Sequence, residues 1–160
     1  MIKYKWIREP VEQNIEIRQV YGIVFNDDGN ILLRVDEKEY KLTGGKPEVY
    51  DKNNSETLKR EYLEELNIEI KEIQYLGYLL VKEEKEKYAQ VRMIAKIKNI
   101  GSIRPDLDNG KIYKRFMAKQ ENVKKYLNYA DIAGNEMIDD AIKSANLKYR
   151  FNFKNEEYYI

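Results

Sequence analysis

The sequence predicts an α+β fold in which helices pack on both sides of a mixed β-sheet, with residues 1–160 as one domain. Three observations predict it. Apolar, β-branched runs alternate with helical patterns, the predicted elements follow the order β-β-α-β-β-β-α, and no linker or internal repeat divides the chain. A chain of this length can bury about 70% of its unfolded surface. We therefore expect one helix–sheet–helix sandwich.

The first predicted elements form a β-hairpin. Residues 20–25 and 31–35 are apolar runs, and the Asp28-Gly29 pair between them is typical of a hairpin turn. Two neighbouring glycines, Gly44 and Gly45, predict a bend after this hairpin.

A helix is predicted to begin near residues 53–55 and to end at Asn67. Leu58, Tyr62 and Leu66 follow one another at intervals of four residues, which predicts a buried stripe along this helix. Asn67 favours a helix end, because asparagine tolerates the left-handed conformation of a C-terminal cap.

The second half of the chain continues the sheet and then adds helices. Residues 68–81 and 88–100 predict two long strands on either side of a charged turn, and residues 112–117 predict a short strand. Helices are expected at 121–129 and 131–145. We expect the aromatic tail, residues 149–160, to pack back on the body.

Composition excludes several classes of chemistry. The chain has no cysteine and no histidine, so it has no disulfide, thiol nucleophile or Ser-His triad, and nearly every kind of zinc site is excluded. Acid–base chemistry is left to carboxylates, lysine or tyrosine, and any bound metal should be a hard ion such as Mg²⁺ or Mn²⁺.

Charge and hydropathy give no indication of a polymer or membrane partner. The 29 basic and 28 acidic residues give a net charge of +1, so no global field favours a nucleic acid polymer or a membrane. The amino-terminal segment lacks an apolar core of signal-peptide length, and no stretch approaches the roughly 20 apolar residues of a membrane helix. We expect a cytoplasmic protein.

The predicted first helix carries the residues that indicate chemistry. Glu61, Glu64 and Glu65 fall within roughly 100° of arc, opposite the apolar stripe, so we expect three carboxylates to converge on one face. Such a cluster is repulsive unless cations neutralise it, and divalent metals that bridge substrate phosphates are suited to that task. Arg60 lies one turn before Glu64 and can hold it in place. Gly45 permits a close approach of the backbone to a metal.

Residues 45–68 resemble the Nudix box, G-x5-E-x7-R-E-U-x-E-E-x-G-U, where U is a bulky apolar residue. The residues at family positions are Gly45, Arg60, Glu61, Glu64, Glu65 and Ile68. Asp51 stands where the first Glu belongs, and eight residues rather than seven separate it from Arg60. Asn67 replaces the final Gly. The extra residue falls in a loop, where an insertion costs little.

The resemblance implies a Nudix-like α/β/α sandwich and an Mg²⁺-dependent pyrophosphohydrolase, with Mn²⁺ as the alternative metal. The substrate would be a nucleoside diphosphate linked to another moiety, as in a nucleoside triphosphate, a dinucleotide or a nucleotide sugar. Glu64 and Glu65 would be the principal metal ligands, Glu61 a ligand or catalytic base, and the Gly45 carbonyl a further ligand. Glu61, Glu64 and Arg60 are the candidate catalytic residues.

Two further cations are candidates for substrate binding. Lys46 follows the box glycine, and Arg115 lies in a segment that could border the substrate. Asp106 lies in a loop just before that segment, where either a substrate border or a simple turn is possible.

Two rival functions stay open at this point. Asp51 and the longer loop allow a Nudix-like module that binds a nucleotide or sugar nucleotide without turnover. An interaction domain with an incidental acidic helix would have no metal affinity at all. A homodimer is possible for any of these functions.

Overall fold

The computed structural model describes residues 1–129 and 131–160. Its described part contains one mixed sheet and three α-helices, with a 3-10 turn at Gln120–Asn122. The strands are β1 (Ile2–Ile7), β2 (Glu16–Phe25), β3 (Ile31–Asp36), β4 (Glu39–Lys41), β5 (Thr43–Gly45), β6 (Ile68–Glu83), β7 (Glu86–Ile100), β8 (Lys114–Ala118) and β9 (Tyr158–Tyr159). The helices are α1 (Asn54–Leu66), α2 (Val123–Leu127) and α3 (Ile132–Lys148).

The strand order is β1-β6-β7-β2-β3-β8-β9, with β4 added to β3 and β5 added to β2. β2 and β7 are parallel and the other pairs are antiparallel, so the predicted mixed sheet is confirmed. β2 and β3 share one register pair, Phe25 with Ile31. Beyond that pair β2 continues beside β5 while β3 continues beside β4 and β8, and a cleft lies between the two strands.

Alternating residues of the strands bury opposite faces of the sheet. Val20 and Val24 of β2 pack with the stripe of α1, which comprises Leu58, Tyr62 and Leu66. On the other face, a second apolar cluster joins β2 to α3. Its members from these two elements include Ile23, Phe25, Met137, Ile138 and Ala141. Helices therefore cover both faces, and the predicted α/β/α sandwich is confirmed.

Helix α1 has the predicted caps. The side chain of Asn53 accepts a hydrogen bond of 2.9 Å from the N–H of Glu56, which satisfies one free donor at the start of the helix. Asn67 adopts the left-handed conformation, with φ 53° and ψ 45°, and its N–H donates to the Leu63 carbonyl at 3.1 Å. Local sequence thus fixes where the acidic face begins and ends.

Several elements differ from the prediction. β1 was not predicted, and it pairs with β6 through a strand that buries little besides Trp6. The predicted bend at Gly44-Gly45 is wrong, because these residues form strand β5. The region predicted as a helix at 121–129 is the 3-10 turn followed by the short α2. The tail does pack back, since β9 pairs with β8. Among the described helices, none combines the length and the apolar character that crossing a membrane requires.

Candidate active site

The guanidinium of Arg60 lies at the centre of the acidic face of α1. It donates two hydrogen bonds to Asp51, from Nε to Oδ1 at 3.1 Å and from Nη2 to Oδ2 at 2.9 Å. Nη1 donates to Glu61 at 3.0 Å and to Glu64 at 3.3 Å, and Nη2 also donates to the Lys46 carbonyl at 3.0 Å. All five N–H groups of this side chain therefore have acceptors, and Arg60 fixes the relative positions of three carboxylates.

Asp51 is fully engaged in this network. Besides the two bonds from Arg60, it accepts a hydrogen bond from the Thr57 hydroxyl and another from the Glu48 N–H, each of 2.9 Å. The Arg60 guanidinium lowers the pKa of Asp51 to about 2. The shorter carboxylate reaches Arg60 because the loop before the helix brings the Asp51 side chain, 5% exposed, against α1.

Glu65 is held by an arginine that the sequence analysis missed. Arg34 of β3 forms an ion pair with Glu65 and stacks over the ring of Tyr113, 4.6 Å from its centroid. The two charged side chains are only 14% and 10% exposed. Burial raises the pKa of Glu65 to about 7, although Arg34 opposes the shift. The available signal was an arginine inside the apolar run of β3, which needs an acidic partner when it is buried.

The two glycines of β5 bring backbone close to this face. A Cβ on Gly45 would lie 2.4 Å from Oε1 of Glu61, and one on Gly44 would lie 2.1 Å from the Val20 carbonyl oxygen. Any larger residue would therefore displace Glu61 or separate β5 from β2. The same crowding buries Glu61, and this burial raises the pKa of its carboxyl group.

The three glutamates share the predicted face, but their carboxylates do not converge on a point. Within residues 1–129 and 131–160, no three acidic side chains are arranged as ligands of one ion. The physical reason is that Arg60 and Arg34 supply the cations that like charges on one face require. The expected convergence is thus replaced by two arginine-centred groups.

The chemistry of this face nevertheless fits a hard divalent ion. Four carboxylates, those of Asp51, Glu61, Glu64 and Glu65, contact two guanidinium groups, so the face has an excess of two negative charges when all four carboxylates are ionised. Oε2 of Glu65 is buried and, among the described residues, has no hydrogen-bond partner. Carboxylate and carbonyl oxygens are the ligands that Mg²⁺ and Mn²⁺ prefer.

The predicted substrate-binding cations lie in different places. Lys46 is exposed and lines a cavity of about 590 Å³ beside the box, together with Gln19 and Tyr88. Arg115 is buried, and its guanidinium donates to three backbone carbonyls, one of them that of Leu66 at the end of α1. These three bonds, made by Nε and Nη1, join the end of α1 to neighbouring backbone, and a contact of Arg115 with the substrate stays a prediction.

The loop that contains Asp106 closes over the C-terminal half of α1. The N–H of Leu107 donates to the Glu64 carbonyl at 3.3 Å, and a guanidinium nitrogen of Arg104 donates to the Leu63 carbonyl at 3.2 Å. Asp106 is 4% exposed, and its charge contributes to the raised pKa of Glu61. This loop therefore borders the acidic face and adds to its negative potential.

Comparison with known proteins identifies the fold. The chain matches no family model, and no curated protein matches its sequence. Its structure is similar to that of the pyrophosphohydrolase BsRppH from Bacillus subtilis, solved as a mutant, with a TM-score of 0.70 and 18% identity over 88% of this chain and 90% of that one.

Two other solved structures have a similar fold. A NUDIX hydrolase from Nitrosomonas europaea has a TM-score of 0.60 at 18% identity, covering 84% of this chain and 92% of its own. A MutT structure from work on Aliivibrio salmonicida and Vibrio cholerae has a TM-score of 0.57 at 19% identity, covering 79% and 96%. The chain therefore has the Nudix fold.

Proposed function

We propose that this chain is a Nudix hydrolase, an Mg²⁺-dependent or Mn²⁺-dependent pyrophosphohydrolase that cleaves a nucleoside diphosphate linked to another moiety. The observation that carries the proposal is the network in which Arg60 holds Asp51, Glu61 and Glu64 on one face of α1. That network lies on a fold shared with a protein named as a pyrophosphohydrolase. An excess of two negative charges on the face suits one divalent ion.

The residues that would hold the metal are Glu61, Glu64 and Glu65, with the Gly45 carbonyl as a further ligand. Bound there, the ion would neutralise charge on the diphosphate as the linkage to the leaving phosphate breaks. Arg60 positions Glu61 and Glu64 and is in this sense a supporting residue.

Glu61 is the candidate to accept a proton from the attacking water. Its side chain, 13% exposed, lies beside Gly45, where exclusion of water strengthens the interactions of a charged group. Lys46, exposed at the entrance of the adjacent cavity, remains the candidate for contact with substrate phosphates.

The contacts of Asp51 argue against a module that binds without turnover. The shorter side chain and the longer loop motivated that rival, yet Asp51 makes four hydrogen bonds and completes the network around Arg60. An interaction domain with an incidental acidic helix does not account for two buried arginine–carboxylate groups on one face. A cytoplasmic location and a homodimer remain predictions.

The direct test is a screen of nucleoside triphosphates, dinucleotides and nucleotide sugars with Mg²⁺ and with Mn²⁺, in which released phosphate or nucleoside monophosphate is measured. We expect turnover of at least one compound. Glu64→Gln and Glu65→Gln should each lower kcat at least ~100-fold, because each removes a charged ligand from the site.

Glu56→Gln is the matched control, since Glu56 lies on the same helix, 49% exposed and outside the network. It should leave kcat unchanged, and circular dichroism should show that all three variants are folded. No turnover of any compound with either metal, or variants at Glu64 and Glu65 as active as the parent, would contradict the proposal.

A further inference from the structure

A second polar site lies in the cleft between the diverging strands β2 and β3. The cleft has a volume of about 370 Å³, which suits one small-molecule moiety. Among its lining residues are Tyr21 and Gln19 of β2, Arg92 and Gln90 of β7, and Tyr129. Arg34 also lines it and contacts Glu65, so this one side chain joins the cleft to the acidic face of α1.

Arg92 is the unusual residue of this cleft. It is 5% exposed, and its guanidinium lies 4.7 Å from the centroid of the Tyr21 ring. In the described part of the chain, Nη1 makes two long contacts of 3.4 Å with the Gln90 and Val91 carbonyls, the guanidinium also contacts the neutral Tyr129 hydroxyl, and Nε has no partner. Burial lowers the pKa of Arg92, yet a guanidinium stays protonated at any physiological pH.

Among the described residues, no acidic side chain compensates this charge. Neither aspartate nor glutamate is among the residues that line the described part of the cleft, where Arg34, Lys41 and Arg92 are the charged groups. An ion that is buried without a counter-charge is costly. Such an arrangement is characteristic of a site whose counter-charge arrives with a ligand.

The neighbouring amides add a donor to the same cleft. The Gln90 amide nitrogen donates to the Gln19 amide oxygen at 2.5 Å, so the amide nitrogen of Gln19 keeps its N–H groups for another acceptor. A neutral carbonyl would satisfy a hydrogen bond from Arg92 but would leave its charge uncompensated. An oxyanion does both, and phosphate matches the geometry of a guanidinium.

We propose that the cleft between β2 and β3 binds a phosphate group at Arg92. Because Arg34 borders both the cleft and the acidic face of α1, the substrate would carry this phosphate in addition to the diphosphate that is cleaved. That second statement rests on the proposed function, whereas the binding of phosphate at Arg92 does not.

The test is calorimetric titration in EDTA, so that neither metal nor turnover is involved. The probes are adenosine 5′-monophosphate, uridine 5′-monophosphate, the two parent nucleosides and inorganic phosphate. We expect at least one monophosphate to bind the parent at least ~10-fold more tightly than its nucleoside, since the charged contact is worth more than a neutral one. Arg92→Met should abolish that difference, and Arg92→Lys should keep part of it.

Arg150→Met, which removes an exposed arginine outside the cleft, is the control and should bind as the parent does. Glu64→Gln should also keep the preference, and circular dichroism checks the fold of each variant. A parent that binds monophosphate and nucleoside alike, or that binds neither, would overturn the proposal, and so would an Arg92→Met variant with the preference intact. If inorganic phosphate binds as tightly as the nucleotide, the phosphate site is supported but its link to the nucleotide substrate is overturned. Failure of the hydrolysis screen would leave these binding results unaffected.

Discussion

Two buried arginines of this protein have opposite surroundings. Arg60, with a side chain 17% exposed, donates all five of its N–H groups to three carboxylates and one carbonyl. Arg92, 5% exposed, has no carboxylate partner and an unpaired Nε in the described part of the chain. Arg60 belongs to a network that is complete without a ligand, whereas the charge of Arg92 is uncompensated until a ligand supplies an anion.

The difference distinguishes an arginine that positions other side chains from an arginine that binds a ligand. The donors of Arg60 are all occupied by the protein, so its contribution is to hold Glu61 and Glu64 in place. In the described part of the chain Arg92 contacts only neutral groups and its Nε is unpaired, so the side chain is available to a partner of opposite charge. Replacing Arg60 should therefore destabilise the fold, whereas replacing Arg92 should not.

The largest expected effect follows from replacing each arginine by methionine. Arg60→Met should lower the free energy of unfolding by about 3 kcal/mol, because it leaves the buried carboxylate of Asp51 unpaired. Arg92→Met should leave it unchanged or raise it, because it removes a buried charge that has no partner. Urea denaturation in EDTA at pH 7 measures both.

Equal losses of unfolding free energy in Arg60→Met and Arg92→Met would contradict the contrast between the two arginines, because the charges of both guanidinium groups would then be compensated to the same extent. Arg150→Met again serves as the control for loss of an exposed arginine, with no change expected.

A smaller effect concerns the pH dependence of the Arg60 network. The pKa of Asp51 is about 2 in the folded protein, against about 3.9 in an unfolded chain. A lowered pKa stabilises the fold fully above the unfolded value, and the contribution is lost as the pH falls through the folded value. Asp51→Asn should therefore be about 2 kcal/mol less stable than the parent at pH 6, with the gap closing between about pH 4 and pH 2.

Denaturation curves from pH 2 to pH 7 test this, with Asp108→Asn as the control for an exposed aspartate outside the network. A constant difference in unfolding free energy between the parent and Asp51→Asn over the whole pH range would show that the charge of Asp51 does not contribute to stability.

The features that the sequence predicted are those that local patterns determine. The stripe of α1 repeats every four residues, and the caps Asn53 and Asn67 lie next to the helix they bound, so both ends were predictable. The paired strands β6 and β7 were predictable for the same reason, since each is a long apolar run beside a turn.

The features that were missed depend on residues that are distant in the sequence. β1 exposes four of its six residues, and it is a strand because β6 offers it an edge. Gly44 and Gly45 resemble a bend, but they lie in a strand because β2 and α1 approach too closely for any side chain. The partners of Arg34 and Arg115 come from other elements of the fold. Nothing in the neighbouring sequence therefore showed that Arg34 forms an ion pair whereas Arg115 contacts backbone carbonyls.

A titration with Mn²⁺, in which electron paramagnetic resonance follows the free ion, probes the metal site on α1 without turnover. We expect the parent and Glu56→Gln to bind Mn²⁺ alike and Glu64→Gln to bind it at least ~10-fold more weakly, because the variant lacks one of the charged ligands. A parent that leaves all the Mn²⁺ free, or a Glu64→Gln variant that binds the ion as tightly as the parent, would contradict a metal site on the acidic face of α1.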